Sequence, residues 1–180
     1  MDYIEIEDIF GDDIALYLGN TPTCQNVPQK YKNGAYLFKR KDRHVYIVDS
    51  LFHRDDGPAV IYFANDKTSI EFYFQSGIIC RDNSPAVIHY YDSGIPKLEK
   101  YYQAGKVSRD NEPAVFRYYD SGIIKFVFYY KNSIMHNEQG PAEIWYNNIG
   151  VKSVELYRLN GARLSKKEWE DQVKTKLYWK

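Results

Sequence analysis

The sequence predicts a mainly β protein, built as a single-layer antiparallel meander of β-hairpin repeats of about 28 residues and closed by a C-terminal capping helix. A heptapeptide recurs four times, and its Pro-Ala pairs are 27 or 28 residues apart. Between the copies, runs of Val, Ile, Tyr and Phe end at Asp-Ser-Gly or Asn-Gly, which is typical of strands joined by hairpin turns. The copies begin at Arg54, Arg81, Arg109 and Asn137.

Residues 1–35 form an N-terminal segment whose charge changes sign. The first 27 residues include six acidic residues and no basic one. A basic cluster follows and consists of Lys30, Lys32, Lys39, Arg40, Lys41 and Arg43. Two solvated faces of opposite charge explain this pattern. Alternatively, the acidic stretch from Asp2 to Asp13 docks on a partner or caps the first edge of the sheet.

Residues 36–164 form the repeat array. An aromatic strand and a turn precede each motif, a second strand follows it, and Lys106 to Ser108 predict a short third strand. Within the motif, Asp82 or Asp110 can accept backbone N–H groups in a turn. Pro lacks a backbone N–H and belongs at the first residue of a strand, while Ala is small enough for close packing. The motif therefore has a structural explanation that requires no activity.

Residues 165–180 predict a helix. Ser165 and Glu168 have the spacing of a capping box, in which each side chain bonds the backbone N–H of the other residue. Trp169, Val173 and Leu177 recur every four residues and form one apolar stripe. We therefore expect a helix from Lys166 to Tyr178 that folds over the last strand and covers its edge.

Composition limits the possible functions. The 24 basic and 24 acidic residues cancel, which removes the usual electrostatic basis for sequence-independent binding to nucleic acid or anionic membrane. Cys24 and Cys80 are too few for a disulfide framework. The N-terminus is acidic where a secretion signal is basic, and no apolar run reaches the ~18 residues of a membrane span. We therefore expect a cytoplasmic protein without membrane contact.

The motifs resemble a known group of repeat proteins. The resemblance lies in His53 to Val60, in the Tyr-Tyr-Asp-Ser-Gly and Tyr-Tyr-x-x-Gly-Lys segments, and in the closing Leu159 to Trp169. Together these segments are similar to the repeat proteins of large bacteriophages and giant DNA viruses, which are relatives of the MORN-type hairpin repeats. The resemblance covers about Tyr46 to Trp169 and implies a β-hairpin array used for interaction, without family-wide catalytic residues. The last copy departs from the pattern because Asn137-Glu138 replaces Arg-Asp.

One column contains His53, Cys80, Ser108 and His136, three of which are possible metal ligands. Equivalent positions in successive hairpins lie roughly 9 to 10 Å apart, whereas zinc needs each ligand atom at about 2.0 to 2.3 Å. We therefore expect no metal and no cofactor. The sequence also lacks a phosphate-binding loop, a nucleophile elbow and a Cys-x-x-Cys pair, so we do not expect an enzyme.

Aromatic residues make up 17% of the chain and often occur as doublets. Neighbouring strand residues point to opposite faces, so each doublet places one ring on either side of the sheet. Cross-strand ladders of such rings stabilise a thin sheet by roughly 0.2 to 1 kcal/mol per pair. One ladder could instead bind a protein partner. The candidate contact residues are Tyr62, Tyr90, Tyr101, Tyr118, Tyr129 and Trp145.

The leading hypothesis is a non-enzymatic protein–protein interaction scaffold. If the viral resemblance holds, the scaffold binds a host or viral macromolecule in the host cytoplasm and neutralises or redirects it. A second hypothesis is a single-stranded nucleic-acid-binding module that uses the aromatic ladders and the cluster from Lys30 to Arg43. A third is an enzyme whose site lies between the N-terminal segment and the array.

Overall fold

The chain folds into an open sheet of hairpins with one helix at its C-terminal end. The computed structural model describes residues 2–7 and 33–178. The first strands are β1 (Ile4–Glu7), β2 (Ala35–Arg40), β3 (Arg43–Val48) and β4 (Leu51–Phe52). The first repeat contains β5 (Val60–Ala64), β6 (Lys67–Phe72), β7 (Phe74–Gln75) and β8 (Ile78–Ile79). The second contains β9 (Val87–Tyr90), β10 (Pro96–Lys100), β11 (Tyr102–Gln103) and β12 (Lys106–Val107).

The later elements continue the same pattern. The third repeat contains β13 (Val115–Tyr118), β14 (Ile124–Phe128), β15 (Tyr130–Lys131) and β16 (Ile134–Met135). The chain closes with β17 (Glu143–Tyr146), β18 (Lys152–Leu159), β19 (Ala162–Leu164) and the helix α1 (Lys166–Tyr178). The predicted mainly β fold of successive hairpins with a C-terminal helix is therefore confirmed.

The longer strands form one sheet in chain order. Its order is β1-β2-β3-β5-β6-β9-β10-β13-β14-β17-β18-β19, and β4 pairs with β3 to make thirteen strands. The pairs β7–β8, β11–β12 and β15–β16 form separate two-stranded hairpins. The short strand expected at Lys106 is thus present as β12, but it belongs to one of these accessory hairpins and not to the main sheet.

The Ala of each motif joins its repeat to the strands on both sides. Ala114 N donates to Phe128 O at 2.9 Å, and Ala114 O accepts from Tyr101 N at 2.8 Å. The four motif alanines are fully buried. The expected position of Pro was wrong, because Pro58 precedes the first residue of β5 by two positions. Pairing begins at Ala, whose N–H can enter the ladder, and Pro remains just outside it.

Two-residue turns with positive φ at both positions connect several hairpins. These are type I′ turns, whose twist matches that of the flanking strands. In β7–β8 the turn residues are Ser76 (φ 48°) and Gly77 (φ 77°), and in β11–β12 they are Ala104 (φ 46°) and Gly105 (φ 76°). Asn132, with φ 52°, occupies the corresponding first position in β15–β16. Ala104 is therefore the least suited of these residues to its backbone conformation.

The first edge of the sheet is capped by β1. This strand pairs in parallel with β2, and Lys39 Nζ lies 2.6 Å from Glu5 Oε1. The capping alternative for the acidic segment is thus observed for Ile4–Glu7, while residues 8–32 lie outside the described residues. The main apolar core adjoins this end and includes Phe38, Val45 and Phe74.

Helix α1 begins and ends where the sequence predicts. Its capping box is formed, since Ser165 N donates to Glu168 Oε2 at 2.8 Å and Glu168 N donates to Ser165 Oγ at 3.2 Å. The helix contacts β18 and β19, and Trp169 lies against Tyr157 with 5.2 Å between ring centroids. β19 pairs with β18 only at Tyr157 to Leu159, and farther back along β18 the side chain of Val154 is 44% exposed. The side chain of Leu177 lies outside the described part of the structure.

Replacing Ala104 with Asn should raise the free energy of unfolding by roughly 0.5 to 1 kcal/mol, because Asn tolerates the left-handed conformation better than Ala. Urea denaturation measures the change. The matched control is Asn132→Ala, which should lower the same quantity by a similar amount. Equal stability of Ala104→Asn and the wild type would contradict the turn assignment.

Candidate functional site

The sheet has two unlike faces. Tyr73 Oη and Tyr90 Oη both donate to Glu71 Oε2, at 3.2 and 2.9 Å, so these side chains share a face. We call it the Tyr–Arg face, and it carries the column Tyr46, Tyr73, Tyr101, Tyr129 and Tyr157. Tyr62 pairs with Ile70 and Trp145 pairs with Phe126, and each of these partners lies three positions before a Tyr of the column. Successive strand residues alternate between the faces, so Tyr62 and Trp145 lie on the opposite face. The six rings predicted as contacts therefore do not form one surface.

The first three tyrosines of the column are each covered by the Arg that opens the following motif. The guanidinium carbon lies 3.8 to 4.1 Å from the ring centroid in the pairs Arg54–Tyr46, Arg81–Tyr73 and Arg109–Tyr101. This geometry is a cation–π contact, which contributes roughly 0.5 to 2 kcal/mol. A Cβ added at Gly57 would lie 3.0 Å from Arg54 Cζ, so this guanidinium fits between the ring and its own loop.

The fourth copy departs from this arrangement. Asn137 Nδ2 donates to Pro141 O at 3.0 Å, and Asn137 Oδ1 accepts from Gln139 N at 2.8 Å. Arg81 Nη1 makes the corresponding contact with Pro85 O at 3.5 Å. Asn137 thus closes its own loop as the arginine does. Both polar atoms of its shorter side chain are hydrogen-bonded within that loop. Within residues 2–7 and 33–178, no arginine lies over the ring of Tyr129.

The last Tyr of the column is covered by the helix. Trp169 packs on Tyr157, and its Nε1 donates to Asn137 O at 2.8 Å. This bond fixes the helix against the fourth motif. Tyr129 therefore lies between a repeat covered by arginine and a repeat covered by tryptophan.

A groove opens at this position, with a volume of about 1090 Å³. Its walls are the third motif (109–111), the β15 region (129–131), the fourth motif (136–139) and α1 at Asp171, Gln172, Val173 and Thr175. Three carboxylates line it, from Asp110, Glu138 and Asp171. An aromatic ring, several amides and these carboxylates suit a polar or cationic ligand.

Of the predicted contact rings, Tyr129 is the one that lines the groove. Tyr90 and Tyr118 are used within the sheet, since Tyr118 Oη donates to Glu99 Oε2 at 2.7 Å as Tyr90 does to Glu71. Burial first, and then these hydrogen bonds to carboxylates, raise the pKa of Tyr90 and Tyr118 well above the usual value for tyrosine. Tyr101 lies under Arg109.

The two rings on the opposite face pack against other aromatic residues. Tyr62 lies 6.3 Å from Phe72, measured between ring centroids. Trp145 lies 4.7 Å from Phe126 and 5.6 Å from Phe128. These contacts form the cross-strand ladder that the aromatic doublets predict.

The basic cluster does not form one exposed patch. Arg43 is only 2% exposed, so its side chain cannot make the expected contact with nucleic acid at the surface. Lys39 pairs with Glu5, and Arg40 Nε lies 3.5 Å from Asp42 Oδ1, while Lys41 is exposed. Strand pairing turns Arg43 inward, which charge patterning along the sequence cannot reveal. Lys30 and Lys32 lie outside the described residues.

Three of the four residues in the column of possible metal ligands accept hydrogen bonds from backbone N–H groups. His53 Nδ1 accepts from Ser76 N at 3.1 Å, Ser108 Oγ accepts from Asn132 N at 3.3 Å, and His136 Nδ1 accepts from Asn160 N at 3.0 Å. Each donor is the first residue of a left-handed turn in the next hairpin. The column therefore links successive hairpins. Cys80 is a free thiol, and Cys24 lies outside the described residues.

Neither a metal-binding cluster nor a membrane-spanning helix occurs in the described part of the chain, residues 2–7 and 33–178. Across that part, no cluster of three or more His, Cys, Asp or Glu side chains is arranged to hold a metal ion. No helix there combines the length and the apolar character needed to cross a membrane. The proposed enzyme site beside the N-terminal segment falls largely on residues 8–32, outside the described residues.

Comparison of this chain with protein-family models, with curated proteins and with solved structures finds no match.

The sequence named Tyr129 as a candidate contact but did not predict the residues that form the groove around it. The departure of the fourth motif at Asn137-Glu138 was the available signal. This departure did not predict that Asp171 lines the same groove, because the position of Asp171 depends on where the helix packs.

Replacing Tyr118 with Phe should lower the free energy of unfolding by about 1 to 2 kcal/mol, because Glu99 loses a hydrogen bond in a partly buried position. Urea denaturation provides the measurement. Tyr146→Phe is the matched control, since Val127 occupies the position that corresponds to Glu99. It should change stability by less than about 0.5 kcal/mol. A similar loss in both variants would show that the carboxylate is not responsible.

Burial lowers the pKa of His89, and the nearby Lys100, Arg117 and Lys97 lower it further. The unfolded chain therefore binds a proton more readily than the folded chain, and stability is lost as pH falls through the ordinary pKa of His, about 6.5. His89→Phe should make the free energy of unfolding fall less between pH 7.5 and 5.5 than it does in the wild type. Burial also lowers the pKa of His44, so some dependence should remain. An unchanged slope in urea titrations would refute this assignment.

Proposed function

We propose that this chain is a non-enzymatic protein-binding scaffold, in which the hairpin array and its helix present the groove beside Tyr129 to a partner protein. The observation that carries this proposal is the groove itself. It lies where the repeat departs from its own pattern, and the repeat array and helix α1 together form its walls. Structural repeats with open faces are well suited to protein recognition.

The composition of the groove supports a protein ligand. Tyrosine provides a large and rigid contact surface, and amide and carboxylate groups around it can bond a polypeptide backbone or its side chains. A volume of about 1090 Å³ accommodates several residues of an extended segment. The aromatic rings elsewhere on the sheet are engaged in ladders and hydrogen bonds, which supports a scaffold role for them.

The resemblance of the repeats to those of large phages and giant viruses supports a more specific role. In that role the scaffold is a MORN-like viral protein that binds a host or viral macromolecule in the host cytoplasm and neutralises or redirects it. The second candidate, single-stranded nucleic-acid binding, gains little support from the described basic residues, because Arg43 is buried and Lys39 is paired.

A bulky substitution in the groove should reduce partner retention. Gln172 is an exposed helix residue that lines the groove, and Lys167 is an exposed residue of the same helix outside the groove lining. In affinity capture from the native host followed by quantitative mass spectrometry, Gln172→Trp should retain at least about fivefold less of the partner than the wild type, a loss of about 1 kcal/mol. Lys167→Trp should retain as much as the wild type.

Circular dichroism and urea denaturation would establish that both variants are folded. Enrichment of no protein over an unrelated bait would contradict the proposed function. Equal retention by the wild type and Gln172→Trp would show that any partner binds elsewhere on the sheet.

A further inference from the structure

We propose that the groove binds an arginine side chain of the partner, with its guanidinium placed on the ring of Tyr129 and among the surrounding carboxylates. This inference rests on the proposed function and specifies the chemistry that the groove recognises. The occupant is an extended peptide segment that contains arginine.

The chain itself provides the geometric precedent. In three copies an arginine reaches back to the Tyr eight residues earlier, and its guanidinium carbon lies 3.8 to 4.1 Å from the ring centroid. The strands that end just before Tyr101 and Tyr129, β10 and β14, pair in corresponding registers with β13 and β17. The backbone therefore presents Tyr129 much as it presents Tyr101, whose ring receives the guanidinium of Arg109.

The fourth copy keeps the loop but not the cation. Asn137 makes the loop-closing bond to Pro141 O that an arginine makes to Pro85 O in the second copy. The amide then also accepts from Gln139 N, which holds the side chain in its own loop. A guanidinium over Tyr129 must consequently come from another molecule or from a substitution at position 137.

The charges around the ring favour a cation. Asp110, Glu138 and Asp171 line the groove together with Arg109, Lys131 and His136. Glu138 Oε1 lies 3.4 Å from His136 Nε2, so Asp110 and Asp171 are the carboxylates proposed to bind the cation. Arg109 is already placed over Tyr101 and forms an ion pair with Glu112, so its charge is compensated. Asp110 accepts from Gln103 Nε2 at 3.3 Å, a bond that leaves carboxylate acceptor capacity for a further donor.

Arginine fits this setting better than lysine. Its planar guanidinium can stack on a ring while its N–H groups donate to carboxylates at the periphery, whereas an ammonium is more strongly hydrated and cannot stack. A citrulline side chain has nearly the same shape without the charge. The pair arginine and citrulline therefore separates charge recognition from shape.

The first experiment is an NMR titration of the full chain with the capped tripeptide Ac-Gly-Arg-Gly-NH2. Saturable shifts should occur at Tyr129 and at the Trp169 indole N–H, and the citrulline and lysine tripeptides should bind about 3- to 30-fold more weakly. Equal affinity for the arginine and citrulline peptides, or shifts confined to another part of the sheet, would overturn the inference.

The second experiment supplies the arginine in the chain. Asn137→Arg should place a guanidinium on Tyr129, shift the guanidinium resonances by the ring current, and weaken binding of the arginine tripeptide by about 3- to 30-fold. Asn148→Arg, at an exposed turn, adds the same charge elsewhere and should bind the tripeptide like the wild type. Undiminished binding to Asn137→Arg would refute the assignment.

Tyr129→Leu, if folded, should weaken binding of the arginine tripeptide to the same extent. The outcomes also separate this inference from the proposed function. If a host partner is captured equally by the wild type and Asn137→Arg, the scaffold function stands and the arginine site is wrong. If the tripeptide binds as expected but no partner is captured, the arginine site stands and the scaffold function is wrong.

Discussion

The structure depends on the hydrogen bonds that the buried Ala of each motif makes to the strands on both sides. Through Ala114, the backbone of one repeat is tied to Phe128 ahead of it and to Tyr101 behind it. A larger side chain would not fit at this fully buried position. Because each copy repeats this junction, the Tyr that donates to Ala always occupies the same place on the Tyr–Arg face.

A thin sheet has little interior, so columns of side chains along the repeat axis take the role of a core. Tyr–Arg stacking, hydrogen bonds from Tyr to Glu and the aromatic ladder on the opposite face each connect neighbouring repeats. Hydroxyl groups also join repeats directly, as when Tyr91 Oη donates to Tyr118 O at 2.8 Å. Contacts of this kind are local to adjacent units, which is the usual basis of stability in repeat proteins.

Departures from the repeat explain where a site can form. An arginine of the array covers the ring of Tyr101, and Trp169 of the helix covers the ring of Tyr157. The copy between them has Asn137, whose side chain is bonded in its own loop. The helix is held at the fourth motif by the bond from Trp169 Nε1 to the backbone oxygen of Asn137, so the groove lies beside the copy whose motif changes. A partner that provides a cation there would complete a pattern that the chain establishes elsewhere.

The sequence by itself determined the hairpin repeats, their turns, the helix from Lys166 to Tyr178 and the capping box at Ser165. These features arise from backbone preferences and contacts between residues close in the chain. Only the tertiary structure decided that Arg43 is buried, that the predicted rings divide between two faces, and that Asp171 meets the third and fourth motifs across a groove. Those outcomes depend on strand register and helix packing, which bring together residues far apart in the sequence.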